Sequence, residues 1–87
     1  MPEHSVIDDT VGRAQRSAER LSFVFKRAAD ALSRSAGLAN AHAERHERLG
    51  RFDAAESERR AANRAYVAAE RARLRAEEFR RRALRRR

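Results

Sequence analysis

The apolar residues Ile7, Val11, Ala14, Ala18, Leu21, Phe25, Ala28 and Leu32 follow one another at alternating steps of four and three. That heptad spacing predicts a long α-helix packed lengthwise against another helix. A second seam, Ala62, Ala65, Ala69, Ala72, Ala76, Phe79 and Ala83, alternates steps of three and four. Nearly all of its positions are alanine, which has the highest helix propensity and lets a neighbouring backbone come close. Ala54, Ala61 and Ala68 make a parallel strip, and Tyr66, Val67 and Leu74 add bulk beside it. The small residues of this second seam are expected to face Leu21, Phe25 and Leu32 of the first, because dense packing sets large side chains against small ones.

Local signals then divide the chain. Ser5 and Asp8 stand at capping-box spacing, and Asp8 and Asp9 suit the positive end of a helix dipole. Pro2 does not fit deep inside a helix, so the first helix is predicted over about 6–35. Gly12 lies within it at a cost of about 1 kcal/mol relative to alanine. Gly37 reads as its left-handed C-cap, at the end of Ser33-Arg34-Ser35-Ala36-Gly37. Residues 36–52 then form a connector, with a short polar helix over 41–49 capped by Asn40. Gly50 gives a second break, and Asp53 to Glu56 spells a capping box that opens a helix over about 54–84. A competing reading runs one helix through Gly50 over 40–87, which matches the first helix poorly in length. The expected fold is therefore all-α: one domain over 1–87, a long antiparallel helical hairpin that assembles into a homo-oligomeric helical bundle. An extended intermolecular coiled coil is the alternative, and the paired capping signals argue against it.

Composition explains why an oligomer is expected. The 87 residues include four Phe, one Tyr, no Trp and no Cys. A lone hairpin would bury only a thin, alanine-rich core, and small domains are marginal on their own. Phe23, Val24 and Phe25 are consecutive, so they do not share one narrow helix face. Phe25 belongs to the seam. Phe23 and Val24, with Tyr66, Val67 and Leu74, are the candidate oligomer or partner interface.

Charge adds a partner class. Residues 59–87 carry twelve Arg against three Glu, whereas 1–39 carry six Arg and Lys against five Asp and Glu. Arg71, Arg75, Arg80, Arg81, Arg82, Arg85, Arg86 and Arg87 are the candidate anion-binding residues, since guanidinium groups bind phosphate through two donors and release counterions on doing so. The pattern contains no base-reading motif, so contact with the backbone of DNA or RNA is expected, non-specific in sequence. The alternative is a protein-protein adaptor or assembly factor docking an acidic partner.

Other chemistry finds little purchase. His42 and His46 are four apart and would share a helix face, the spacing of two zinc ligands, but two ligands do not make a site. No cofactor is expected. There is no Cys, no Gly-rich phosphate loop and no isolated carboxylate pair in an apolar strip, so a non-enzymatic protein is read. Ser33, Ser35 and Ser57 are placed near turns or helix starts. Nothing approaches the roughly 18 apolar residues of a membrane span, and no basic stretch followed by an apolar run opens the chain. A cytoplasmic protein without integral membrane association is expected.

Overall fold

The computed structural model describes residues 2–85, with side chains from Asp8 onward. Met1, Arg86, Arg87 and the side chains of Ser5 and Ile7 lie outside the described residues. Two helices, α1 (Pro2–Arg48) and α2 (Phe52–Arg85), pack against each other as an antiparallel hairpin. It is a rod of 74 × 13 × 13 Å with a radius of gyration of 20.2 Å, where a compact chain of this length would have about 12 Å.

The sharp reversal rests on Gly50. Its φ of 74° lies in the left-handed region, which a Cβ disfavours. The Gly50 N–H donates to the Glu47 carbonyl at 3.0 Å and the Arg51 N–H to the His46 carbonyl at 2.8 Å. This pair of bonds is a Schellman cap and satisfies the last carbonyls of α1. The Ala55 N–H then donates to the Arg51 carbonyl at 3.0 Å, the first bond of α2. Arg51 is therefore the N-cap residue. Asp53 sits inside the first turn, where its charge suits the dipole, and does not cap the helix as the capping-box spacing suggested.

The first helix is longer than predicted at both ends. It begins at Pro2, because proline at the first helical position gives up an N–H that would be unpaired there. It also runs through Gly37 and Asn40, so the expected connector over 36–52 shrinks to a turn at residues 49–51. Ser33 and Ser35 are consequently mid-helix. The reason lies in packing. Ala29, Ala36 and Ala43 are spaced by seven and all are 0% exposed. A cap at Gly37 would forfeit the last of these contacts to spare about 1 kcal/mol of glycine penalty.

The seam of α1 is also rotated from the predicted one. Ala18, Phe25 and Leu32 do face α2, but the row between them is Ser22, Ala29, Ala36 and Ala43. Leu21 and Val11 are each 40% exposed, and Ala28 is only half-buried. In α2 the predicted seam is the observed one: Ala62, Ala69, Ala72, Ala76 and Ala83 are buried, joined by Ala55. The Ser22 hydroxyl donates to the Ala76 carbonyl at 2.8 Å. Counting in opposite directions from that bond, at seven residues a step, sets Ala29 level with Ala69, Ala36 with Ala62 and Ala43 with Ala55. Alanine thus stands level with alanine along the core, and among the described residues nothing larger is fully buried. Phe25 meets another large residue across the seam: it stacks on Phe79 with centroids 5.7 Å apart and planes 7° from parallel.

Candidate anion-binding surface

The hairpin carries its C-terminal arginines on a continuous helix as far as Arg85. Successive residues of a helix are turned by about 100°, so Arg80, Arg81 and Arg82 point in three directions and do not form one flat patch. Several have partners within the hairpin. Arg75 lies 5.8 Å from the centroids of both Phe25 and Phe79, and Arg82 lies 5.1 Å from that of Phe79. Both also pair with Glu78, at 3.6 and 2.7 Å, and Arg81 approaches Glu77 at 3.9 Å. Arg75 and Arg82 cover the aromatic stack with their planar groups. Arg71, Arg80 and Arg85 are exposed and make no ion pair among the described residues.

The fold brings more arginine to the same end. The register fixed by Ser22 and Ala76 sets Arg13 level with Arg85 and Arg16 level with Arg82. Arg13, Arg16 and Arg20 are exposed and likewise unpaired among the described residues. The end of the rod away from Gly50 is thus arginine-rich on both helices. Sequence reading missed the α1 contribution because residues 1–39 are nearly neutral in sum. The signal was present as a seven-residue recurrence, Arg13, Arg20, Arg27 and Arg34, along the outer face of α1.

The hydrophobic candidates do not come together as one interface. Phe23 is 58% exposed, with the Arg27 guanidinium 5.8 Å from its centroid. Val24 (52%) shares the side of α1 that bears Leu21, while Val67 and Leu74 are exposed on the outer face of α2 and Tyr66 (46%) stands in the row of Arg59 and Arg73, beside the groove. His42 and His46 do share a face and line a shallow cavity with Arg45, Leu49 and Arg51. Their neighbours there are cationic or apolar, and the described residues contain no group of three His, Cys, Asp or Glu able to hold a metal ion.

The remaining polar contacts are structural. Arg59 donates to Glu47 Oε1 through Nε at 2.9 Å and Nη2 at 2.6 Å, clamping the two helices near the turn. Arg73 Nη2 donates to Ser33 Oγ at 2.7 Å in mid-rod. Arg60–Glu56 and Arg73–Glu70 are exposed pairs along α2, of the kind that steadies a helix by a few tenths of a kcal/mol. No helix is long and apolar enough to cross a membrane among the described residues.

Fold and surface together define a small all-α hairpin with an alanine core and an arginine-rich open end. No family model, no curated protein and no solved structure matches the chain.

Proposed function

We propose that the protein is a non-catalytic helical element that holds the phosphate backbone of nucleic acid at the open end of its hairpin. The observation that carries this reading is the gathering of Arg13, Arg16 and Arg20 of α1 beside Arg80 and Arg85 of α2 by the antiparallel register. These five are without ion pairs among the described residues, so they are available to phosphate oxygens. Guanidinium groups directed around a helix end suit a charged polymer approached from several sides, and they give no base-specific geometry.

The test is a salt series of fluorescence-anisotropy titrations with duplex DNA and single-stranded RNA. Contact with four or five phosphates predicts a slope of log K against log salt of about −4 for a duplex. Two variants divide the site: Arg80→Gln with Arg85→Gln, and Arg13→Gln with Arg16→Gln and Arg20→Gln. Each should weaken binding and flatten the slope, with circular dichroism unchanged. If the α1 variant binds as the unaltered protein does, the tail acts alone. No binding by either nucleic acid at low salt refutes the reading. An adaptor role is favoured by a different observation, the apolar side of the rod.

A further inference from the structure

The two long sides of the hairpin differ in chemistry. One is polar across the groove between the helices. Ser22, Lys26, Asp30, Arg73, Glu77 and Arg80 line a cavity there. The Arg73–Ser33 bond crosses the groove on that side, and so does the Arg59–Glu47 pair, two heptads nearer the turn. On the opposite side, Ala14, Ser17, Ala18, Leu21, Phe79 and Arg82 line a shallow depression. Seven-residue steps from Leu21 reach Ala28 and Ser35, and the flanking row is Val24, Ala31 and Leu38. The facing strip of α2 is Ala54, Ala61 and Ala68, all half-buried, and it continues opposite Leu21 with Arg75 and Arg82. Leu21, Val24 and Leu38 are 40, 52 and 62% exposed.

Small residues in the middle and larger apolar ones along α1 leave a straight trough between two parallel axes. A trough of this shape, repeating every seven residues, receives the apolar stripe of another helix. Its edges are basic. Arg20 and Arg34 border it on α1, and Arg64 and Arg71 on α2. All four are exposed, and none makes an ion pair among the described residues. The acidic residues Asp30, Glu56, Glu70 and Glu77 occupy the other side of the rod; Glu78, in the row of Arg64 and Arg71, is paired with Arg75 and Arg82.

We propose that the side bearing Leu21, Val24, Ala28, Leu38, Ala61 and Ala68 docks an amphipathic α-helix of another protein, one whose apolar stripe is flanked by acidic side chains. Charge selects this occupant over a second copy. Face to face, two copies would set arginine edges against arginine edges in either orientation, and like charges at a rim act against pairing. An acidic helix would pair the edges and cover the leucines together. Arg20 belongs to both this edge and the open end, but Val24, Leu38, Arg34, Arg64 and Arg71 lie outside the open-end cluster, so the inference does not rest on the nucleic-acid reading.

The probe is a labelled synthetic helix of about four heptads with Leu at both seam positions and Glu on both flanks, followed by anisotropy near physiological salt. A twin peptide carries Lys on the flanks. The Glu-flanked peptide should bind one to one, at least tenfold more tightly than the Lys-flanked one. Val24→Asp with Leu38→Asp should weaken it at least tenfold at unchanged helicity, since both positions are exposed. Arg20→Glu with Arg34→Glu should shift preference toward the Lys-flanked peptide. The Arg16→Gln and Arg80→Gln variant, altered at open-end positions outside the edge rows, should bind as the unaltered protein does; loss of binding there would mean that the open end captures acid, and would overturn the proposal. Equal binding of the two peptides, or binding by neither, would also overturn it. So would light scattering that finds a dimer dissociated by Val24→Asp and Leu38→Asp, because a second copy would then be the occupant.

Discussion

At the scale of single residues, His46 stands out. It continues the row Phe25, Leu32 and Ala39 toward the turn, and its Nδ1 is buried without a hydrogen-bond partner among the described residues. A buried polar atom left unpaired costs about 1–3 kcal/mol. His46→Leu removes that atom and keeps an apolar side chain on the seam. Only the His46 carbonyl takes part in the Schellman cap, so the substitution leaves the turn intact. We expect a gain of about 1 kcal/mol, a rise in melting temperature of about 4–8 °C for a chain of this size. Thermal melts followed by circular dichroism decide it. A lower melting temperature would show that the imidazole supplies a packing contact leucine does not replace.

At the scale of elements, two glycines that look alike in sequence have opposite roles. Gly50 has φ of 74° and Gly37 sits in a helix. A Cβ built on Gly37 meets nothing within 4 Å. Gly37→Ala should therefore stabilise α1 by about 0.5–1 kcal/mol, while Gly50→Ala should cost about 1–2 kcal/mol through the left-handed conformation. Urea melts of the two variants check the contrast, and a stable Gly50→Ala protein would disprove the role of the cap. Both helices and the alanine seam of α2 were legible because each follows from a period carried by several residues, and their antiparallel pairing because Gly50 marks a break between them. The end of α1 was not. The capping signs at Gly37 and Asn40 are local, whereas what overrides them is the alignment of Ala36 and Ala43 with alanines of α2 far along the chain. For the same reason the tail arginines were legible and Arg13, Arg16 and Arg20 were not. Their membership of one end depends on a register set by Ser22 and Ala76, which no local pattern encodes.

At the scale of the whole molecule, the rod combines a net charge of +8 with a core of alanine. Its exposed i,i+3 and i,i+4 pairs, such as Arg60–Glu56 and Arg82–Glu78, contribute about 0.3–0.5 kcal/mol apiece. Against them stand arginines without pairs on both helices, held closer together in the folded rod than in the unfolded chain. At low salt their repulsion acts across a Debye length larger than the rod is thick; at 0.1 M that length falls to about 10 Å. Screening weakens pairs and repulsion alike. The excess of positive charge makes the loss of repulsion the larger effect, because each pair already includes its own counter-charge. The melting temperature should rise between about 20 and 300 mM sodium chloride, and a fall would show that the ion pairs dominate. A polyanion that binds the open end should raise it further at low salt, since a ligand specific to the folded state stabilises that state. A rise with salt but none with duplex DNA at low salt would make the arginines a source of self-repulsion alone, and would count against the nucleic-acid role.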